Sequence, residues 1–188
     1  MTIPSLLIFA FCLLPFDFLV LPRPYPMTDT PYSPEYLSLR AANDRLREQG
    51  KAWVWETLSS LCAEINQGGG ADPAQAVAQI GRQPWQFSVG RSLMVGERFG
   101  IRVRGKTLTT EIGWPREPEH GFVPDQGLAR GRVSMSLSPM LEAKPSDELI
   151  LRPGASGEAV WYIIRKGTVD EVVTVSKLRT YLDALIEG

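Results

Sequence analysis

The sequence predicts an α+β fold: N-terminal helices, an antiparallel β-meander of about five to six strands, and a C-terminal helix packed on one sheet face. Three observations lead to this prediction. Residues 33–80 carry apolar side chains at helical spacing, residues 87–165 alternate apolar and polar side chains between short turns, and residues 176–187 return to helical spacing. Helices that flank a run of strands typically cover one face of an antiparallel sheet. The other face is therefore predicted to be free.

The first helix is predicted to begin at residues 33–35. The Ser33 hydroxyl can cap free backbone N–H groups, Pro34 loses no hydrogen bond at the first helical position, and Glu35 suits the positive end of the helix dipole. One apolar stripe follows, formed by Tyr36, Leu39, Ala42 and Leu46. Gly50 is expected to end or bend this helix.

A second apolar stripe runs from Val54 to Ile65 and predicts a second helix that stops at the glycine triplet 68–70. A short third helix is predicted over residues 74–80, opened by Asp72 and Pro73 and closed by Gly81. Together the three segments make up the helical layer at the N-terminal end of the domain.

Beyond Pro84 the pattern changes from helical spacing to alternation, which is typical of half-buried strands. Turns are expected at Gly96-Glu97 and Gly105-Lys106. The predicted strands cover residues 87–95, 101–104, 107–112, 128–138, 148–152 and 158–165. Because the turns are short, the strands are expected to pair as an antiparallel meander.

The chain has 188 residues, and its first 26 form an apolar leader that differs from the single α+β domain predicted over residues 27–188. Three interpretations of the leader remain open. A secretory signal would need a basic start and a small-residue cleavage site, both of which are missing. A membrane anchor would have the right length, although Pro15 would kink it and Asp17 would place a carboxylate in the bilayer. In the third interpretation, translation begins at Met27.

These interpretations decide the predicted location. A chain that begins at Met27 is expected to be a cytoplasmic protein, whereas a translated and retained leader would anchor the domain at a membrane. Membrane contact is predicted only in that second case.

Charge and composition argue against several classes of protein. The 20 basic and 21 acidic side chains nearly balance, which argues against a nucleic-acid partner bound through bulk charge. One histidine and two distant cysteines, Cys12 and Cys62, cannot assemble a Cys/His zinc site, and neither cysteine is expected to be paired. The glycine triplet matches no nucleotide-binding motif. The sequence therefore predicts no metal and no cofactor.

The longest connection without predicted structure is the segment 113–127, which contains three prolines, two aromatic residues and the one histidine. Loops of this length in compact domains are usually functional or disordered, and rigid aromatic side chains suit recognition of a partner. The predicted partner-binding residues are Trp114, Arg116, His120, Phe122 and Asp125. In the alternative interpretation, the aromatic side chains fold back as a lid on the edge of the sheet.

His120 has three carboxylates close by in sequence, the arrangement in which an imidazole acts as a general base. No nucleophile motif accompanies it, and no catalytic residue is assigned. The sequence is interpreted as a non-catalytic protein-interaction module that uses the 113–127 loop and an adjacent sheet face, with a protein partner whose identity the sequence leaves open.

The alternative function is binding of an anionic ligand or nucleic acid through an arginine patch on the sheet. Arginines outnumber lysines fifteen to five. Strand alternation places Arg102 with Arg104, and Arg130 with Arg132, on common faces where guanidinium groups could bind carboxylates or phosphates. The competing interpretation is cross-strand pairing of these arginines with glutamates, namely Glu97, Glu111, Glu148 and Glu158.

Overall fold

The computed structural model describes residues 32–68, 77–138 and 143–187; the leader and residues 74–76 of the predicted third helix lie outside these ranges. Two helices frame the described fold, α1 at Pro34–Gly68 and α2 at Val175–Glu187. The strands are β1 Gln79–Val89, β2 Ser92–Val103, β3 Lys106–Trp114, β4 Ala129–Ser136, β5 Lys144–Pro153, β6 Ala159–Arg165 and β7 Thr168–Val172.

The strands form one antiparallel sheet in which each strand pairs with its neighbours in sequence, in the order β1-β2-β3-β4-β5-β6-β7. The predicted α+β class, the antiparallel meander and the C-terminal helix against the sheet are confirmed. The sheet has seven strands rather than five to six. The additional strand, β7, has five residues and is mostly exposed, so it lacks the apolar alternation by which strands are recognised.

The hydrophobic core lies between the two helices and one face of the sheet, here called the helix-covered face. Cross-strand pairs such as Ile101 with Leu108 and Leu149 with Ile163 point towards the helices. From α1 the core receives Val54, Leu58, Leu61 and Cys62, and from α2 it receives Leu178, Tyr181, Leu182 and Leu185. Cys62 is a free buried thiol, and burial raises its pKa.

The helix predicted to end or bend at Gly50 does not end there, because α1 continues through this residue as one helix of 35 residues. Gly50 lies where α1 crosses the sheet. The Trp161 indole donates a hydrogen bond of 2.9 Å to the Gly50 carbonyl, and a Cβ added at Gly50 would lie 2.6 Å from a Leu151 methyl carbon. Glycine at this position therefore lets the helix approach the sheet closely, and it does not interrupt the helix.

The predicted helix over 74–80 is wrong at its described end, because β1 already includes Gln79. The Asn66 side chain explains the extended conformation. Its amide donates to the Ala78 carbonyl at 3.0 Å and accepts from the Ala78 N–H at 2.8 Å, as a neighbouring strand would do. The chain therefore enters β1 already extended.

The predicted turn at Gly96-Glu97 is also wrong, because β2 runs through both residues and the chain turns instead at Gly90. Gly96 lies opposite Gly113 of β3, where a Cβ would overlap the β3 backbone. The glycine allows close strand packing. The predicted turn at Gly105 is confirmed, since it joins β2 to β3 with a φ of +79°.

Tyr181 of α2 lies inside the core and donates a hydrogen bond to the carboxylate of Asp147 on β5. Burial raises the pKa of Tyr181 well above its ordinary value of 10.0, and the hydrogen bond to Asp147 raises it further. The folded protein therefore keeps the phenol protonated in alkaline solution, where the unfolded chain releases the proton.

This difference makes the free energy of unfolding depend on pH. The stabilisation is fully present below pH 10 and is lost as the pH rises further, by up to about 1.4 kcal/mol per pH unit, because the unfolded state binds fewer protons than the native state. In urea unfolding at a series of pH values, Tyr181→Phe is expected to remove this contribution, so that its stability deficit relative to the wild type narrows above pH 10. A deficit that stays constant with pH would contradict this assignment.

Candidate functional site

Trp114, a predicted partner-binding residue, lies at the end of β3 on the helix-covered face and is only 1 % exposed. Its ring is covered by cations. The Arg116 guanidinium lies 3.9 Å from the ring centroid, and Arg47 of α1 lies 5.9 Å from it. Trp114 is therefore part of the core, and a partner could not contact its ring.

A third cation close to Trp114 is Lys51 of α1, whose ammonium is 5.8 Å from the ring centroid. It pairs with Glu48 at 2.7 Å and with Glu97 at 3.0 Å. Burial alone would lower the pKa of Lys51, but the hydrogen bonds and negative charges of the two glutamates outweigh this effect and raise it. Lys51 therefore links α1 to β2 next to the Trp114 ring.

The β3–β4 loop, defined as residues 115–128, lies against the face of the sheet opposite the helices, here called the opposite face. The Phe122 N–H donates to the Ser92 hydroxyl at 3.2 Å. Gly121 has a φ of +86°, and a Cβ added there would lie 2.6 Å from the same hydroxyl oxygen. The predicted free face is thus covered in part, and glycine is required at the point of contact.

A second anchor holds the C-terminal half of the β3–β4 loop. Arg130 donates to the Asp125 carboxylate at 3.1 Å, and Arg152 donates to the Asp125 carbonyl at 2.7 Å. Asp125 and Gln126 have φ values of +60° and +58°, a left-handed conformation that costs non-glycine residues about 1–2 kcal/mol each. The two arginines keep the loop in this strained conformation.

His120 is held within the loop. Its Nδ1 accepts a hydrogen bond of 3.3 Å from the Arg116 N–H, and its Nε2 lies 3.8 Å from the Glu117 carboxylate. These contacts orient the ring, and both involve residues of the same loop. The arrangement closes one turn of the loop around the imidazole.

Phe122 is the predicted site residue that the loop leaves most accessible, with 73 % of its surface exposed. Earlier in the same loop, Arg116, Glu117 and Glu119 are exposed, so the exposed charges that precede Phe122 are two carboxylates and one guanidinium. On the uncovered part of the opposite face, Tyr162 of β6 pairs with Val172 of β7, which is 45 % exposed. The β3–β4 loop therefore combines one exposed phenyl ring with exposed carboxylates a few residues before it, whereas the Tyr162–Val172 pair lies on strands β6 and β7, away from the Ser92 contact on β2.

The four predicted anion-binding arginines are not brought together as a patch. Arg130 is buried and bonded to Asp125 and, at 2.7 Å, to Glu148. Arg132 pairs with Glu111, which also accepts from Arg98 at 2.9 Å. Arg130 and Arg132 thus follow the competing prediction of cross-strand pairing. Their partners, Glu148 and Glu111, are two of the four glutamates that this prediction proposed.

The other two predicted arginines lie at the end of β2 and in the turn that follows it. Arg102 is exposed on the opposite face and makes no ion pair within the described ranges of the chain, and Arg104 occupies the β2–β3 turn with a φ of +50°. These two side chains therefore lie apart from Arg130 and Arg132.

Sequence reasoning missed Ser92 and Arg98. Arg98 lies over Trp85, with 3.1 Å between the guanidinium carbon and the ring centroid, and shares a sheet face with Arg102. The spacing of four residues between the two arginines predicts that shared face once β2 is taken as continuous through Gly96. No comparable signal marks Ser92, whose role depends on a loop that lies 30 residues further on.

Among residues 32–68, 77–138 and 143–187, no group of three or more histidine, cysteine or acidic side chains is placed to hold a metal ion. No helix within the same ranges is long and apolar enough to span a membrane. Comparison with models of known protein families, with curated proteins and with solved structures finds no match to this chain.

Proposed function

We propose that the chain is a non-catalytic protein-interaction module that binds a partner through the β3–β4 loop and the adjacent sheet face. The observation that carries the proposal is the exposure of Phe122 on a loop that is fixed on both sides of it. A rigid loop loses little conformational entropy on binding, and an exposed aromatic side chain buries a large apolar area.

The chemistry of the loop indicates the kind of partner. Phe122 requires an apolar pocket, and the exposed carboxylates of Glu117 and Glu119 favour a basic rim around it. The partner is thus expected to be a protein with a small apolar pocket bordered by lysine or arginine.

We expect Phe122→Ala to lower partner affinity by about tenfold or more, because interface anchors of this size contribute more than about 1.4 kcal/mol. The melting temperature should stay within about 2 °C of the wild type, since the ring is exposed and surface substitutions have small effects. The partner is first identified by placing p-benzoylphenylalanine at position 122 in the full chain and irradiating the native cells. Affinity is then measured with the purified partner.

The matched control is Leu137→Ala, which removes an exposed apolar side chain beyond the other end of β4 and should leave the affinity unchanged. Gly121→Ala tests the fixed loop, because it forces a Cβ against Ser92 and should weaken binding with Phe122 intact. No discrete cross-linked product at position 122, or equal loss in the Phe122 and Leu137 variants, would contradict the proposal.

A further inference from the structure

The opposite face of the sheet contains a depression floored by two glycines. Gly81 of β1 and Gly100 of β2 are directly opposite each other, and a Cβ added at either would meet nothing within 4 Å. The two missing side chains open a cavity of about 320 Å³. This volume is at the lower end of the range for small-molecule sites.

The walls of the depression are basic and hydroxylic. Arg98 and Arg102 flank Gly100 along β2, and Thr107 and Thr109 line it from β3. No carboxylate lines the depression. Of its three arginines, Arg82 lies over the Trp55 ring and Arg98 pairs with Glu111 outside the depression, so Arg102 is the one whose side chain has no partner in the described part of the chain. Such a site favours an anion.

The two arginines differ in how they are held. Arg98 is fixed between the Trp85 ring, 3.1 Å away, and the Glu111 carboxylate, which accepts from its Nε at 2.9 Å and from its Nη2. Both bonds go to one oxygen, which leaves the Nη1 donors of Arg98 unused. The Arg102 side chain is exposed at the other end of the depression and makes no hydrogen bond or ion pair in the described part of the chain, so its donors are available to a ligand.

We infer that this depression binds the phosphoryl group of a small phosphate ester. Donors from β2 and β3 surround the glycine floor, and guanidinium and hydroxyl groups together suit a tetrahedral anion with three terminal oxygens. A planar carboxylate would use fewer of these donors. The inference is independent of the proposed protein partner, which contacts a different part of the same face.

In the test, the full chain is titrated with glucose 6-phosphate, inorganic phosphate, acetate and a single-stranded oligonucleotide. Binding is measured by calorimetry and by the NMR chemical shifts of the Gly81 and Gly100 amides. We expect saturable 1:1 binding of the phosphate ester, weaker binding of acetate, and shifts at both glycines. The affinity should fall as salt is raised, since the site is exposed.

Two variants locate the site. Arg102→Gln should weaken binding by about tenfold or more through loss of a charge-assisted hydrogen bond. Gly100→Val should abolish binding by filling the depression without lowering the melting temperature, because the position is open and β-branched residues favour strands. Arg91→Gln, in the turn that joins β1 to β2, is the matched control and should bind as the wild type does.

The inference is overturned by absence of saturable binding of the phosphate ester at about 10 mM, a weak limit for a specific site, or by binding that persists in Gly100→Val. Binding of the oligonucleotide far more tightly than the phosphate ester would overturn the small-molecule assignment. Phe122→Ala should leave phosphate binding intact, so failure of either proposal is distinguishable from failure of the other.

Discussion

Gly50→Val is expected to lower the free energy of unfolding by about 2–3 kcal/mol, the cost of forcing extra methyl groups into a packed core. The added Cβ would lie 2.6 Å from a Leu151 methyl carbon and 3.2 Å from the Trp161 indole nitrogen. Neither side chain can move aside easily, because both are buried and the indole is bonded to the Gly50 carbonyl. Replacing a helical glycine would otherwise stabilise α1, so the packing cost acts against a gain in helix propensity.

The matched control is Ala52→Val, two residues further along the same helix on its exposed side, which should cost less than about 0.7 kcal/mol. Chemical unfolding of both variants gives the comparison. Equal stability of the two variants would show that α1 can move away from the sheet, and that Gly50 is not needed for its close approach.

The fold class could be predicted because it depends on local patterns. Leu178, Leu182 and Leu185 repeat at helical spacing in α2, and Ile101 and Val103 alternate with arginines in β2, so each element carries its own signal. The contact between α1 and the sheet carries no such signal. Gly50 has the same appearance in the sequence whether it ends a helix or admits a neighbouring strand, and only the position of Leu151, 101 residues later, decides between them.

The site could be predicted only in part, for the same reason. The length of the segment 113–127, its prolines and its aromatic residues predict a recognition loop, and the exposed Phe122 is one of the residues predicted for it. Trp114 and Phe122 are equivalent aromatic residues in the sequence, yet one is buried under α1 and the other is exposed. Their difference follows from the strand register, since β3 extends to Trp114 and pairs it with Val95.

The depression on the opposite face could not be predicted from the sequence, because it forms where two glycines have no side chain. Gly81 and Gly100 are 19 residues apart, and their alignment depends on the turn at Gly90. With a turn at Gly96, residues 87–95 would form a single strand, and Gly81 would no longer pair with Gly100 or Trp85 lie beside Arg98. One misplaced turn therefore conceals both the glycine pair and the arginines beside it.

Glu111→Ala is expected to lower the free energy of unfolding by about 2–3 kcal/mol, more than the value of under about 1 kcal/mol typical of cross-strand pairs on a sheet surface. The Glu111 side chain is only 3 % exposed and bridges Arg98 and Arg132 on the neighbouring strands. Its removal leaves two guanidinium groups without their shared anion. Because these arginines are 29 % and 41 % exposed, they regain some water, which keeps the loss below that of a fully buried ion pair.

Glu148→Ala is the matched control, because Glu148 lies opposite Arg132 in the same row of the sheet and bonds to Arg130. Its side chain is 62 % exposed, and Arg130 keeps Asp125 as a partner, so the expected loss is below about 1 kcal/mol. Glu111→Gln separates charge from volume: it fills the same space, and a loss of more than half the alanine effect would assign the stabilisation to the charge. If Glu111→Ala and Glu148→Ala cost the same in urea unfolding, burial does not strengthen the Arg98–Glu111–Arg132 bridge.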